Sequence, residues 1–149
     1  LNNFNNRILL YDYALSNKNG HSFLAAKNRF GLSQSGGAKI SDKGNIKIKY
    51  RIGDDLIKIK NEHIAIKIDT EGHELFVLKG IKNLLDNNKV FLQIEIFPQN
   101  TTVVTQFLNY LGFKLITKSQ FTHQKNILDY FFEKNFSEPY FLYFFVAKR

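Results

Sequence analysis

Cysteine is absent from the 149 residues, as are methionine and tryptophan, and proline occurs only twice. Without cysteine the chain can form no disulfide framework, no thiolate metal site and no cysteine nucleophile. No apolar run reaches the roughly 20 residues that a membrane-spanning helix needs, and the polar first residues lack the apolar core of a signal peptide. We therefore expect a cytoplasmic protein without a membrane span.

The residues that are present favour one folded domain. Hydrophobic residues make up 44% of the chain and aromatic residues 15%, which excludes a disordered protein. The net charge of +8 would attract anions without sequence specificity. The hypothesis that the protein binds nucleic acid rests on this charge alone. Lysines that alternate along a strand usually form a solvated face. We therefore expect no specific nucleic-acid partner, although a basic stripe is conceivable at Lys47, Lys49, Lys58 and Lys60.

The most informative stretch runs from Ile64 to Leu85. A β-branched apolar run leads into an acidic turn and then into apolar residues at helical spacing, which predicts a strand, a turn and a helix. Open α/β sheets bind ligands at the carboxyl ends of their strands, so the acidic side chains of this turn are candidates for function. The alternative is a plain helix start, in which Thr70 is the cap and the acidic residues favour the helix dipole.

The same turn resembles a family signature. Residues 68–74 read Ile-Asp-Thr-Glu-Gly-His-Glu and are followed by Leu78 and Gly80, a pattern similar to that of the FkbM-type methyltransferases. Members of this family use S-adenosylmethionine and mostly O-methylate sugars, glycans and related hydroxylated metabolites. The resemblance implies that one residue of the turn deprotonates or orients a substrate hydroxyl. The catalytic candidates are Asp69, Glu71 and His73.

The resemblance also implies cofactor contacts near the start of the chain. Residues 7–13 predict a strand, and the Ala-Leu-Ser turn that follows it is similar to the family turn beside the adenine of the cofactor. An ordinary hairpin is the alternative. The implied cofactor-binding residues are Ala14, Leu15 and Ser16.

Two further carboxylates are candidates for substrate binding. Glu95 interrupts the apolar strand predicted over residues 90–97, where an ionised carboxylate is costly unless it is paired. In the family pattern a glutamate near the end of this strand reaches the site, and Glu74 closes the signature. A magnesium ion held by Asp69 and Glu95 is a less favoured variant, and the prediction includes no metal.

The rest of the chain predicts alternating strands and helices. A helix capped by Thr101 or Thr102 and ended by Gly112 is expected. It is followed by a strand over 113–117, a helix or packed insertion over 126–134, and an aromatic strand over 140–147. With the resemblance, this order implies an α/β, Rossmann-like class I methyltransferase fold with a mixed sheet and an antiparallel last strand. We expect one partial domain over 1–149, with a hairpin and loop region before residue 64 and a strand-helix core after it.

The glycine-rich turn with which such enzymes hold the cofactor is missing, and only glycine lets a backbone approach a ligand so closely. Since methionine is missing too, we expect the domain to be truncated at its N-terminus. The loss of the first strand would expose the edge of residues 64–68. A homodimer, a swapped element, or residues 8–13 would then cover that edge.

Together these features predict an S-adenosylmethionine-dependent O-methyltransferase acting on a small molecule or glycan. The alternative is a non-catalytic fragment or degenerate copy that serves as a binding or assembly module.

Overall fold

The computed structural model describes residues 8–25, 28–29, 32–33, 39–40, 44, 46–119, 127–135 and 143–148. It describes side chains for residues 8–24, 44, 46–119 and 127–135.

The described residues form eleven strands, four α-helices and one short 3-10 helix at Pro98–Asn100. The helices are α1 (Gly53–Leu56), α2 (Glu74–Gly80), α3 (Lys82–Asp86) and α4 (Thr101–Tyr110). The strands are β1 (Ala14–Ser16), β2 (Gly20–Ala25), β3 (Asn28–Arg29), β4 (Leu32–Ser33), β5 (Lys39–Ile40), β6 (Ile46–Ile52), β7 (His63–Asp69), β8 (Lys89–Ile96), β9 (Lys114–Ser119), β10 (Leu128–Lys134) and β11 (Tyr143–Lys148).

The larger sheet has five strands in the order β11-β7-β8-β10-β9. β7 is parallel to both β8 and β11, whereas β10 is antiparallel to β8 and β9, so the sheet is mixed as predicted. Alternate residues of β7 and β8 are buried with apolar residues of α2, α3 and α4. The fully buried members of this core include Ile64, Ile68, Val77, Leu78, Leu85, Val90, Leu92, Ile94, Val104 and Leu108.

Two predictions about the end of the chain are wrong. The last strand, β11, is parallel to β7, with Tyr143 opposite Ile64. It covers the edge that was expected to be open, so neither a second chain nor residues 8–13 is needed there. The antiparallel strand is instead β10, within a segment predicted as a helix or insertion. Its aromatic residues Tyr130 and Phe132 are two positions apart and both buried, as an extended strand with one buried face requires.

The smaller sheet has the order β1-β6-β2-β5. Residues 8–13 are not a strand, contrary to the prediction, and their apolar side chains are largely exposed, with Leu10 at 90%. The strand is formed by the Ala-Leu-Ser residues that were predicted as a turn. They pair in parallel with Tyr50–Ile52, and this pairing with a distant segment is absent from any local pattern.

A close contact joins the smaller sheet to the helices. A side chain at Gly80, the last residue of α2, would overlap the backbone carbonyl of Ser16 in β1. Glycine therefore permits β1 to approach α2 directly. The predicted single helix after the signature turn is divided at Ile81 into α2 and α3. None of the helices formed by the described residues is long and apolar enough to span a membrane.

Candidate functional site

The turn between β7 and α2 has an unusual backbone. Glu71 has a φ of +55° and Gly72 a φ of +99°. Side chains at positive φ are uncommon because Cβ crowds the backbone, and such strained residues occur often at functional sites. Gly72 adopts its conformation without that crowding. The turn therefore holds a carboxylate, Glu71, in a conformation that the surrounding contacts must maintain.

Glu74 supplies those contacts. Its side chain is completely buried, and its Oε1 accepts hydrogen bonds from the Gly72 amide at 2.8 Å, the Thr70 hydroxyl at 3.1 Å and the Thr70 amide at 3.3 Å. Thr70 is thus a donor to Glu74, and it is not the helix cap, since His73 occupies that position without a side-chain cap bond. Among the described residues, Glu74 Oε2 has no hydrogen-bond partner.

Three carboxylates converge beside this turn. One oxygen from each of Asp69, Glu71 and Glu95 lies within 4.8 Å of the others. The sheet explains the placement, because Ile68 pairs with Ile94 and the next residues in register are Asp69 and Glu95. The carboxyl ends of two parallel strands therefore bring together residues that are 26 positions apart in the chain. The predicted neighbourhood of Asp69 and Glu95 agrees with this geometry.

The pKa of Glu95 is strongly raised. Its side chain is only 9% exposed, and burial raises its pKa to about 7 from an ordinary value of 4.5, with further increases from the charges of Asp69, Asp129 and Glu74. The positive charge of Lys67 acts in the opposite direction. Near neutral pH this carboxyl group can therefore either accept or donate a proton.

Asp129 is a neighbour that the sequence did not reveal. It lies on β10 directly opposite Glu95, it is 6% exposed, and its Oδ1 accepts a hydrogen bond from Gln93 Nε2 at 3.0 Å. Like charges directly opposite each other in a sheet are unfavourable. The apolar residues at every second position from Leu128 to Phe132 are the signal that would have indicated a strand and hence this pairing.

His73 connects the turn to the smaller sheet. Its Nε2 lies 3.0 Å from the hydroxyl of Ser16, and its ring stacks on Phe76 with a centroid distance of 4.7 Å. Ser16 is 2% exposed and its hydroxyl also donates weakly to Asn17 Oδ1 at 3.4 Å. Which of the two groups donates depends on the tautomer of His73, and the tautomer that leaves the Ser16 hydroxyl as the donor to Asn17 carries its proton on Nε2. Burial lowers the pKa of His73, which favours the neutral ring.

The structure therefore brings most of the predicted site residues together in two groups, and the residues within each group lie close to one another. Asp69, Glu71 and Glu95 form a cluster of three carboxylates, and Glu74 is hydrogen-bonded to the turn that contains Glu71. His73 is in contact with Ser16, the last of the three residues predicted to bind the cofactor. The other two predicted cofactor residues, Ala14 and Leu15, are half-buried in β1, and Leu15 packs against the main core.

Comparison with known proteins places the chain in a family. Residues 2–115 match the family model of the methyltransferase FkbM domain. The chain is also similar to hexuronic acid methyltransferase AglP of Haloferax volcanii, with 36% identity over 76 residues. That match covers 48% of this chain and 32% of the relative, so the chain spans about a third of that relative's length. No solved structure matches. Since the family model covers more than half of the residues, the chain belongs to the FkbM methyltransferase domain family.

Proposed function

We propose that the protein is an S-adenosylmethionine-dependent methyltransferase that methylates a hydroxyl group of a sugar, glycan or related hydroxylated metabolite. The observation that carries this proposal is the 3.0 Å contact between His73 and Ser16. It joins the segment implied to bind the cofactor to the turn implied to do the chemistry. Methyl transfer requires this closeness, because the acceptor oxygen must lie in line with the sulfonium.

The carboxylates of the site suit both reactants. S-adenosylmethionine supplies, when bound, a methyl group on a positively charged sulfur, and carboxylates favour a nearby positive charge. Asp69 and Glu71 would accept hydrogen bonds from acceptor hydroxyls and orient them. Glu95, whose pKa is about 7, and the ring of His73, whose lowered pKa favours the neutral form, are the two groups suited to remove the hydroxyl proton. Ala14, Leu15 and Ser16 would contact the cofactor, and Glu74 would maintain the turn beneath the acceptor.

The acidic site also bears on the class of acceptor. The similar protein of Haloferax volcanii is named as a hexuronic acid methyltransferase, which supports a sugar acceptor here. A sugar carboxylate would be repelled by Asp69, Glu71 and Glu95 if it faced them directly. We therefore propose that the hydroxyl-bearing edge of the sugar faces the carboxylates and that any acidic group of the acceptor points away from them.

The first test is calorimetric titration of S-adenosylmethionine and S-adenosylhomocysteine into this chain and, in parallel, into the product of the complete gene. Binding to either supports the proposal. Binding to neither folded protein would contradict it and leave a non-catalytic binding or assembly module.

A second measurement tests the residues. Transfer of a labelled methyl group to a panel of neutral hexoses, hexuronic acids and glycans should fall by about 100-fold or more in Asp69→Asn, since positioned acid-base groups contribute roughly that much. His21→Ala, a change at an exposed residue of β2, is the control and should retain full activity. Equal activity of Asp69→Asn and the control would remove Asp69 from the catalytic residues.

A further inference from the structure

The hydroxyl of Ser16 is enclosed by the protein. The residue is 2% exposed, and its Oγ lies 3.0 Å from Nε2 of His73 and 3.4 Å from Oδ1 of Asn17. The other two residues of β1, Ala14 and Leu15, are half-buried. A cofactor that lies on this segment can therefore contact more of Ala14 and Leu15 than of Ser16, whose hydroxyl is engaged with His73.

The packing of β1 between β6 and α2 fixes the position of Ser16. Ser16 lies opposite Ile52 in the register of β1 with β6. A Cβ added to Gly80 would lie 2.0 Å from the Ser16 carbonyl oxygen, so the backbone of β1 lies directly against the last residue of α2. His73 immediately precedes the first residue of the same helix. The packing of β1 on α2 therefore keeps the Ser16 hydroxyl beside the histidine ring.

The ring of His73 is held in two directions. One face stacks on Phe76 of α2, with a centroid distance of 4.7 Å and an angle of 20° between the rings. Within the part of the chain that the structure describes, Ser16 is the hydrogen-bond partner of the histidine side chain. The stack fixes the plane of the ring, and the hydrogen bond fixes its rotation within that plane.

The number of protons at Ser16 determines which group donates. A serine hydroxyl has one proton to donate and can accept two hydrogen bonds, whereas the amide oxygen of Asn17 can only accept. If the Ser16 proton is directed to Asn17, its oxygen accepts from Nε2–H of His73. Burial lowers the pKa of His73 and so favours the neutral ring, which has a single N–H. The tautomer that fits both contacts therefore leaves Nδ1 without a proton.

We propose that Ser16 is a positioning residue for His73: its hydroxyl accepts the Nε2 hydrogen and leaves Nδ1 of the neutral ring to accept a proton. This role rests on the proposed function, in which His73 is one of the groups suited to remove the proton of the acceptor hydroxyl. In that step Nδ1 takes this proton while the acceptor oxygen takes the methyl group from the sulfonium, so the positive charge moves from sulfur to the imidazolium ring. The bond from Nε2–H to Ser16 persists in the charged ring and is stronger there, because hydrogen bonds from ionised donors are stronger.

Nuclear magnetic resonance can test this hydrogen bond without cofactor or acceptor. In protein with ¹⁵N-labelled histidine, the signals of His73 are identified by their loss in His73→Gln, and long-range ¹H–¹⁵N couplings report which ring nitrogen carries the proton. We expect Nε2–H in the neutral ring, with a proton that exchanges slowly enough to be observed directly. Its signal should disappear in Ser16→Ala and return in Ser16→Thr, which restores the hydroxyl. Ser22→Ala, in β2 of the same sheet, is the matched control and should leave the signal unchanged.

The spectrum of the unaltered protein decides the question even if a variant fails to fold. A proton on Nδ1 would overturn the proposal, because Ser16 would then donate to the ring. An Nε2 proton that is equally protected from exchange in Ser16→Ala would also overturn it. Neither result would affect methyl transfer as such, which the cofactor titration tests separately.

Kinetics distinguish this role from a direct contact of the Ser16 hydroxyl with the cofactor. Ser16→Ala should lower kcat by about tenfold, a part of the roughly 100-fold or more that a positioned base contributes, and leave the KM for S-adenosylmethionine unchanged. Ser16→Thr should recover most of kcat. A raised KM for S-adenosylmethionine with an unchanged kcat would contradict the proposal, because loss of binding alone has that signature.

Discussion

The two ends of the five-stranded sheet differ in how their polar side chains are paired. At the amino end of β8, Asn88 is 5% exposed and both polar atoms of its side chain are hydrogen-bonded. Its Nδ2 donates to the carbonyls of Ile59 at 2.9 Å and Leu84 at 2.7 Å, and its Oδ1 accepts from the Glu62 amide at 3.0 Å. Nearby, the ammonium of Lys134 pairs with Asp86 at 2.8 Å.

At the carboxyl end acidic side chains lie on adjacent strands, although Lys148 is opposite Asp69 in the register of β11 and β7 and the positive charge of Lys67 acts on Glu95. Asp69, Glu95 and Asp129 are neighbours across three strands, and Glu74 has an oxygen without a described partner. The amino end therefore consists of complementary pairs that stabilise the fold, whereas at the carboxyl end the negative charges of Asp69, Asp129 and Glu74 act on Glu95, and a proton on Glu95 relieves that repulsion. Parallel strands place such sites at their carboxyl ends, and strain of this kind is common where binding occurs.

The largest expected effect is at the amino end. Asn88→Ala removes three hydrogen bonds and leaves buried backbone groups without partners, so the free energy of unfolding should fall by about 3 kcal/mol. Urea denaturation of the variant and the unaltered protein measures this difference. Asn109→Ala, an exposed change in α4, is the control. If the two variants were equally stable, the amino end would not be the stabilising end of the sheet.

The second expected effect is an increase in the free energy of unfolding. Glu95 has a pKa of about 7 in the folded protein and 4.5 ordinarily, so folding favours its protonated form. Its favourable contribution is complete below pH 4.5 and is lost as the pH rises through about 7. Glu95→Gln cannot ionise, and it should be more stable than the unaltered protein by up to about 3 kcal/mol at pH 8, since each pKa unit corresponds to about 1.4 kcal/mol.

Urea denaturation in EDTA at pH 8 and pH 4 tests this prediction, because EDTA removes any bound cation. The advantage of Glu95→Gln should disappear at pH 4. A variant that is less stable than the unaltered protein at both pH values would show that Glu95 is a stabilising residue and would remove the contrast between the two ends.

The smallest effect distinguishes buried pairing from surface pairing within the amino end. Burial opposes the lowering of the Asp86 pKa, but hydrogen bonds from Lys134 and Lys82 prevail. The side chain of Lys134 is 10% exposed, whereas that of Lys82 is 43% exposed. Lys82→Gln should leave the urea midpoint unchanged, because exposed ion pairs contribute little. Lys134→Gln should lower it measurably, and equal midpoints for the two variants would contradict this difference.

Around the signature turn, the local pattern of residues was sufficient to predict the secondary structure. The strand β7, the acidic turn and a helix after it were predicted from residue type and spacing, and the family match agrees with the resemblance of residues 68–74. Even there the role of Glu74 was not visible. The sequence shows a carboxylate four residues after Thr70, but only the folded turn shows which of its oxygens is bonded.

Prediction failed where pairing partners are distant. Ala14–Ser16 is a strand because β6 lies beside it, and β10 is a strand because β8 and β9 do. Short segments with mixed polarity have weak intrinsic preferences, and hydrogen bonds to neighbouring strands outweigh them. The parallel pairing of β11 with β7 belongs to the same class, since a strand and its partner can be some 80 residues apart in the chain.

The sequence by itself determined that the chain folds around an apolar strand followed by an acidic turn, and that carboxylates gather near the end of that strand. Both follow from side-chain type and spacing, which act over a few residues. Only the tertiary structure decided that Asp129 faces Glu95, that His73 contacts Ser16 and that β11 covers the edge of β7. Those contacts join segments from 34 to about 80 residues apart, and their energies exist only once the sheets have formed.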